Sequence, residues 1–232
     1  MKTPNNIPKL IGIDGDDTLW YTEIVYDQLN KQVKSLFDYS AFWDDAAFTR
    51  LLHSNISIIG YGMKTYCITL LEYIFSETTP SKEQLSQVIE LTKNTWNDPI
   101  TLYPYAEETV KQLSARFPVI LVTQGDSSEQ SSKISRCGIE FEDVEIIPQK
   151  NERAFFDLLR KRSIAPDQFV MIGNSFKSDI LPVLNIGAKA VYVKSEWQFE
   201  RVDDSLTHPN LYRSEDLSSC IQIINQIENE EY

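Results

Sequence analysis

The pattern of hydrophobic and polar positions divides the chain into two kinds of segment. Residues 9–14 form a short apolar run that ends in an acid, which is typical of a buried parallel strand. Between about residues 22 and 95, apolar side chains recur every three or four positions, and no strand pattern interrupts them. This spacing predicts amphipathic helices over 22–37, 41–54, 60–77 and 81–95.

After a linker-like segment at 97–104, helix and strand patterns alternate regularly. Helices are predicted over 105–116, 127–137, 151–162, 178–186 and 214–229, and strands over 119–123, 144–147, 169–173 and 190–193. Such alternation indicates a parallel sheet with helices on both faces. The predicted fold class is therefore α/β: a doubly wound, Rossmann-like parallel sheet with an inserted all-helical domain. The expected boundaries are 1–20 and 98–232 for the core and 21–97 for the insert.

Net charge and composition indicate which classes of binding partner to expect. A formal net charge of −12 disfavours nucleic acid and anionic membrane surfaces. No apolar run approaches the roughly 20 residues of a membrane-spanning helix, and residues 1–8 lack the apolar segment of a signal peptide. The three cysteines have neither metal-ligand nor disulfide spacing. We therefore expect a soluble, cytoplasmic protein, and no feature indicates an obligatory protein partner.

Side chains that carry chemistry follow the ends of four predicted strands. In chain order these are Asp14-Gly15-Asp16-Asp17-Thr18, Thr123-Gln124-Gly125, Lys150, and the segment from Gly173-Asn174 to Asp179. Ligands of doubly wound sheets bind at the carboxyl ends of the strands. We therefore expect carboxylates, a hydroxyl and an ammonium group to meet on one rim.

Taken singly, these residues also have structural interpretations. Aspartate favours turns, and a threonine at a strand end is typical of a structural role. Asp179 suits the first turn of a helix that Ser178 would cap. Lys133 and Lys177 compete with Lys150 for the place of the cation. It is the joint occurrence of the four segments that favours a catalytic interpretation.

In order and spacing, the four segments resemble the signature of the haloacid dehalogenase (HAD) superfamily, over about residues 9–195. Its Asp-x-Asp-x-Thr motif is matched by Asp14, Asp16 and Thr18. Its later threonine, lysine and Gly…Asp segment are matched by Thr123, Lys150, and Gly173 with Asp179. The segment from Gly173 to Pro182, with Gly60-Tyr61-Gly62, further resembles a bacterial subgroup of uncharacterised HAD hydrolases. The resemblance implies a helical (C1-type) cap formed by the insert.

The same resemblance implies a phosphatase that forms an aspartyl-phosphate. Asp14 would be the nucleophile, and Asp16 would protonate the leaving group and then activate water. Nearby carboxylates are expected to raise the pKa of Asp16 so that it holds a proton. Thr123 and Lys150 would stabilise the phosphoryl oxygens.

A magnesium ion is the implied cofactor, because it bridges carboxylate and phosphate oxygens. It would be held by Asp14, the backbone carbonyl of Asp16, and Asp179. Asn174 stands where many members have an acid and would contribute an amide oxygen without charge. The expected contacts to substrate are the backbone around Gly15, Gln124 and Gly125, and the side chain of Trp20.

Three alternatives stay open at this point. A dehalogenase on the same fold needs no acid two residues after its nucleophile, so Asp16 favours phosphoryl transfer. A phosphomutase needs the same acid and base. A non-catalytic relative that binds a phosphoryl ligand is the third. The expected partner is a small phosphorylated metabolite, since a closed cap leaves little room for a phosphoprotein.

Overall fold

The computed structural model of the protein describes residues 7–37, 42–196 and 205–229. The described residues form one six-stranded sheet in which every pair of neighbours is parallel, in the order β3-β2-β1-β4-β5-β6. The strands are β1 (Leu10–Ile13), β2 (Val119–Gln124), β3 (Asp143–Ile147), β4 (Phe169–Gly173), β5 (Lys189–Val193) and β6 (Leu211–Ser214). The predicted doubly wound parallel sheet is confirmed.

Strand β1 occupies the centre of the sheet because its four residues are apolar and fully enclosed. Ile11 pairs with Val119 of β2 on one side and with Val170 of β4 on the other. The direction of winding reverses around β1, so the crevice at its carboxyl end is the place where such sheets bind ligands.

Among the described residues, five helices lie between β1 and β2. The first four form the inserted unit: α1 (Glu23–Ser35), α2 (Asp45–Ile59), α3 (Met63–Glu77) and α4 (Lys82–Asn97). The sheet is covered by α5 (Ala106–Ser114), α6 (Ser127–Cys137), α7 (Glu152–Lys161), α8 (Leu181–Asn185) and α9 (Leu217–Asn229). Within the described residues, none of these helices combines the length and apolar character needed to cross a bilayer.

Three hydrophobic clusters hold these layers together. Ile11 and Ile13 lie in the cluster on one face of the sheet, while Leu10 lies in the cluster on the other, as strand alternation requires. The third cluster is built from residues between positions 26 and 96 and centres on side chains such as Leu70 and Ile74. The helical insert therefore has a core of its own, and its boundaries at 21 and 97 stay a prediction.

The structure corrects two local predictions. Strand β6 was not predicted, because its four residues lie at the edge of the sheet, are mostly half-exposed and include Arg213. The helix predicted over 178–186 begins instead with a π-helical turn, Phe176–Ile180, whose cap is Ser175 and not Ser178. Residue 41, the predicted start of the second helix, lies outside the described residues.

Candidate active site

A cavity of about 190 Å³ lies between the carboxyl edge of the sheet and the helical insert. From the sheet side it is lined by Asp14, Asp16, Thr123, Gln124, Gly125, Lys150, Asn174 and Asp179. From the insert it is lined by Glu23, Tyr26, Leu52, Ile56, Tyr61 and Tyr66, among others. The expected convergence of the strand ends is therefore present in the structure.

The rim is shaped by the way each strand passes into its helix. Asp126 caps α6 after β2, and Asn151 caps α7 after β3; each accepts a hydrogen bond from a backbone amide of its helix. Ser175 does the same for the turn after β4. Each N-cap fixes the residue at which its helix or turn begins. The short segments between strand and cap therefore lie at the carboxyl edge of the sheet.

Lys150 joins two carboxylates at the bottom of the cavity. Its Nζ donates to Asp14 Oδ1 at 2.5 Å and to Asp179 Oδ1 at 2.6 Å, and all three side chains are buried. Burial lowers the pKa of Lys150, but attraction to the two acids outweighs it and holds that pKa above its ordinary value. Burial and repulsion from Asp179 raise the pKa of Asp14 to about 7, against the opposing effect of Lys150. Two buried acids thus share one ammonium group, which leaves the site with an excess of negative charge.

Asp179 and Gly173 fit together closely. A Cβ built on Gly173 would lie 2.4 Å from Asp179 Oδ2, so a side chain at position 173 would collide with the carboxylate. The same oxygen accepts a hydrogen bond from the Ser175 amide at 3.0 Å. Glycine at the end of β4 is therefore what allows the acid to turn back toward Lys150.

The carboxylate of Asp16 accepts hydrogen bonds from four side chains. Its Oδ1 accepts hydrogen bonds from Trp20 Nε1 (2.7 Å), Thr22 Oγ1 (2.7 Å) and Lys133 Nζ (2.9 Å). Its Oδ2 accepts from Gln130 Nε2 at 2.7 Å. Burial acts to raise the pKa of Asp16, but Lys133 and these hydrogen bonds outweigh it and hold the pKa below its ordinary value. The prediction that neighbouring carboxylates raise this pKa is wrong, because it overlooked Lys133.

Thr123 and Gln124, at the end of β2, are engaged with neighbouring residues of the site. Thr123 is fully buried, and its hydroxyl donates to Gln130 Oε1 at 3.3 Å. Gln124 Oε1 accepts from the Lys150 amide at 2.7 Å, which fixes the backbone that carries the ammonium group. Gly125 lines the cavity, but its amide donates to the Ile147 carbonyl at 3.2 Å. The expectation that this amide faces a phosphate is therefore corrected.

Trp20 is not placed to contact a substrate. Its side chain is fully buried, and its ring packs so closely on Gly15 that a Cβ at position 15 would lie 2.3 Å from it. Its indole N–H is directed at Asp16. The expected substrate contact of Trp20 is corrected: the bulky ring fills the core behind the acid turn and holds the carboxylate of Asp16.

Asn174 contacts Thr18. The Thr18 hydroxyl lies 3.2 Å from Asn174 Oδ1 and 3.1 Å from Asp14 Oδ2, and it accepts from the Asn174 amide at 3.1 Å. Within the described residues, no group of three or more His, Cys, Asp or Glu side chains is arranged as a metal site. The candidate donors are instead two carboxylates, the Asn174 amide oxygen and backbone carbonyls, all of which are oxygen ligands.

Helix α6 carries three polar residues of the site, of which the sequence indicates only Lys133, and that only as an alternative to Lys150. Glu129, Gln130 and Lys133 are each largely buried, and all three line the cavity. The signal in the sequence was their spacing, because positions 129, 130 and 133 share one face of a helix that starts directly after β2.

A doubly wound sheet with an acid-rich rim beneath a helical insert is an architecture of hydrolytic enzymes. The family model described as "haloacid dehalogenase-like hydrolase" matches residues 8–187 of the chain. The chain therefore belongs to the haloacid dehalogenase-like hydrolases, and it is an enzyme of that class.

Individual relatives agree with this assignment. Glyceraldehyde 3-phosphate phosphatase of Methanothermobacter thermautotrophicus is 25% identical over 197 residues, which cover 81% of this chain and 86% of that protein. A haloacid dehalogenase-like family hydrolase from Xanthomonas campestris has a crystal structure that matches with a TM-score of 0.85 and 26% identity, covering 98% and 94% of the two chains. YfnB of Bacillus subtilis, crystallised with magnesium, matches with a TM-score of 0.66 and 14% identity over 94% and 99%. At that identity the last likeness shows the fold alone.

Proposed function

We propose that the protein is a magnesium-dependent phosphatase that hydrolyses a small phosphate monoester through an aspartyl-phosphate on Asp14. The observation that carries this proposal is the placement of two acids with different surroundings on one rim. Asp14 is tied to Lys150 and Asp179, whereas Asp16, two residues later, is tied to α6. A nucleophile and a separate acid are what phosphoryl transfer to a carboxylate requires.

In the first half of the proposed reaction, a carboxylate oxygen of Asp14 attacks phosphorus. The bond from phosphorus to the ester oxygen breaks. Asp16, which its low pKa leaves ionised in the free enzyme, first takes up a proton from solvent and then passes it to that oxygen, which leaves as an alcohol. In the second half, water attacks the phosphorus of the aspartyl-phosphate. The water gives its proton to Asp16, inorganic phosphate departs, and the Asp14 carboxylate is regenerated, so one ester and one water yield one alcohol and one phosphate.

The remaining side chains of the rim stabilise charge in this proposal. The Lys150 ammonium group lies against Asp14 and is placed to offset the negative charge of the phosphoryl oxygens. Thr123 hydroxyl is buried beside the same rim and would exchange its 3.3 Å contact with Gln130 for a phosphoryl oxygen. Gln124 Oε1 accepts a hydrogen bond from the Lys150 amide and so holds the backbone of Lys150 in place.

The donor set fits a magnesium ion. Asp14 and Asp179 are buried oxygen donors that share a single ammonium group, and burial together with repulsion from Asp179 raises the pKa of Asp14. Magnesium accepts one or two carboxylates and completes its shell with water and substrate oxygens. We therefore assign Asp14, Asp179, the Asp16 carbonyl and Asn174 as the residues that would hold it. When bound, the ion supplies positive charge that permits a carboxylate to approach an anionic ester.

A small substrate is supported by the enclosure of the cavity. At about 190 Å³ it lies under the insert, whose Tyr26, Tyr61 and Tyr66 cover the rim. The match to a phosphatase of glyceraldehyde 3-phosphate supports a phosphorylated metabolite as the class of substrate. We propose that residues of the insert determine which alcohol group of a substrate is accepted, because the residues assigned to the phosphoryl group all come from the sheet side.

The test is release of inorganic phosphate from a panel of phosphorylated metabolites that includes glyceraldehyde 3-phosphate. Wild type is assayed with magnesium and with a chelator, beside Asp14→Asn and the control Asp167→Asn, an exposed acid at the opposite end of the sheet. We expect hydrolysis only with magnesium, retained in the control and abolished in Asp14→Asn. Acid-quenched wild type should carry phosphate on the peptide that contains Asp14. Full activity of Asp14→Asn, or release of halide instead of phosphate, would contradict the proposal.

A further inference from the structure

Helix α6 places two buried side chains on the two oxygens of Asp16. Lys133 Nζ lies 2.9 Å from Oδ1, and Gln130 Nε2 lies 2.7 Å from Oδ2. Gln130 is 3% exposed and the Lys133 side chain 12%. Burying an amide and an ammonium group costs free energy unless their partners are fixed, so these contacts are a built arrangement rather than surface pairing.

The orientation of the Gln130 amide is determined by three bonds. Its Nε2 donates to Asp16 Oδ2 and to the Gln124 carbonyl at 3.2 Å, while its Oε1 accepts from the Thr123 hydroxyl. Exchanging the amide oxygen and nitrogen would place two acceptors against each other at Asp16 and at Gln124. Gln130 therefore links the carboxylate of Asp16 rigidly to the end of β2.

The two oxygens of Asp16 are not equivalent in this arrangement. Oδ1 accepts three hydrogen bonds, from Trp20, Thr22 and Lys133, and so has no lone pair left in the plane of the carboxylate. Oδ2 accepts one, from Gln130. Only Oδ2 has room for a proton, because Trp20 and Thr22 already occupy the two in-plane lone pairs of Oδ1. Lys133 and Gln130 bind one oxygen each from the α6 side and so fix the direction in which Oδ2 points.

We propose that Lys133 and Gln130 are positioning residues that orient the Asp16 carboxylate, so that Oδ2 exchanges the proton with the leaving group. This inference rests on the proposed function of Asp16 as acid and base. It assigns to α6 a part in the reaction, exerted through Asp16 and not by contact with the phosphoryl group. A merely structural role, in which the two residues only pair with a half-buried acid, predicts the same loss of activity for both leaving groups.

The test compares two esters in the same variant. The p-nitrophenolate leaving group departs without a proton, whereas the alkoxide from glycerol phosphate needs one. For Gln130→Met and Lys133→Met, we expect kcat/KM for glycerol phosphate to fall about 100-fold and that for p-nitrophenyl phosphate less than about 5-fold. Because kcat/KM reports only the steps up to departure of the leaving group, slow hydrolysis of the aspartyl-phosphate does not enter the ratio. Partial unfolding lowers both values equally and leaves the ratio unchanged.

Three further comparisons test whether the effect is exerted through Asp16. Lys133→Arg keeps a cation next to Oδ1 and should restore most of the glycerol phosphate activity. Lys161→Met removes an exposed lysine that pairs with Glu145 and should leave the ratio at the wild-type value. In an Asp16→Asn background, Lys133→Met and Gln130→Met should change the ratio no further, since residues that act through one group are not additive.

The outcomes separate this inference from the proposed function. If wild type hydrolyses both esters in an Asp14-dependent way but the two methionine variants keep the wild-type ratio, the positioning role is overturned and the function stands. An additional loss in the Asp16→Asn background would likewise overturn it. If Asp14→Asn hydrolyses both esters as well as wild type does, the proposed function and this inference are both overturned.

Discussion

Glu129 Oε2 accepts a hydrogen bond from the Met63 amide at 2.7 Å, although the two residues are separated by 66 positions. Met63 is the first residue of α3, and its N-cap, Gly62, has no side chain to satisfy the free amides. A Cβ at Gly62 would lie 2.4 Å from the same carboxylate oxygen. The cap of an insert helix is thus supplied by α6 of the core, which joins the two units directly above the cavity.

Removing this carboxylate should weaken the junction. In Glu129→Ala the buried Met63 amide loses its partner, and Lys133 loses its second acid at 3.3 Å. We expect the free energy of unfolding to fall by about 1.5–3 kcal/mol, as for other hydrogen bonds to charged groups. Urea denaturation measures the change, with Glu90→Ala, an exposed glutamate on α4, as the matched control. Equal midpoints for the two variants would show that the contact contributes nothing.

Replacing Lys150 should affect stability and activity together. Lys150→Met leaves Asp14 and Asp179 buried without a cation, and breaking such a pair costs about 3–5 kcal/mol. We expect phosphatase activity to be abolished and the free energy of unfolding to fall by that amount. The control is Lys31→Met, since the Lys31 side chain is 72% exposed and its ion pair among the described residues is with Asp27 on its own helix. A stable, fully active Lys150→Met protein would contradict the assignment.

Magnesium should stabilise the folded protein through Asp179. If the ion binds only the native state, at 100 times its dissociation constant it adds about 2.7 kcal/mol to the free energy of unfolding. We expect the thermal midpoint of wild type to rise with magnesium and to return when a chelator is added. Asp179→Asn should abolish this rise, while the exposed Asp167→Asn should retain it. Equal rises in wild type and Asp179→Asn would exclude Asp179 as a ligand.

A comparison of two glycines should separate collision with a catalytic group from backbone strain. In Gly173→Ala the new Cβ meets Asp179 Oδ2 at 2.4 Å. In Gly187→Ala it meets nothing within 4 Å, but the backbone φ is +86°. We expect Gly187→Ala to cost about 1–2 kcal/mol of stability and no activity. Gly173→Ala should cost about 1–3 kcal/mol and most of the kcat/KM, because the carboxylate is displaced.

One result for Gly173→Ala would contradict the assignment of Asp179 to the site. A variant with wild-type kcat/KM would mean that Asp179 can move without effect on the reaction. Circular dichroism of both variants establishes that each is folded before activity is compared.

Much of the architecture was predictable because it depends on local patterns. The run at Leu10–Ile13 is apolar at every position, as a central parallel strand requires, and the last helix of the insert, predicted over 81–95, is observed at Lys82–Asn97. The edge strand β6 was missed because an exposed four-residue strand has no such pattern. Its parallel partner β5 fixes it, and that pairing is a contact between distant parts of the chain.

The site was predictable to the same extent. Asp14, Thr123, Lys150 and Asp179 were identified because each stands at or after the end of a predicted strand, and parallel strands end at one edge. Lys133 was weighed only as a substitute for Lys150, although it contacts Asp16 and not Asp14. The direction of the Asp16 pKa was wrong for that reason, since a charge 117 positions away decides it.

The sequence by itself determined five of the six strands of the described sheet, the helices, the place of the insert and the residue types at the predicted strand ends, because these follow from short-range periodicity and turn chemistry. Only the tertiary structure decided which charges meet: Lys150 with Asp14 and Asp179, and Lys133 with Asp16 and Glu129. It also placed Trp20 in the core instead of the cavity. The physical reason is that electrostatic and packing energies depend on distances of a few ångströms between groups whose separation along the chain carries no information about them.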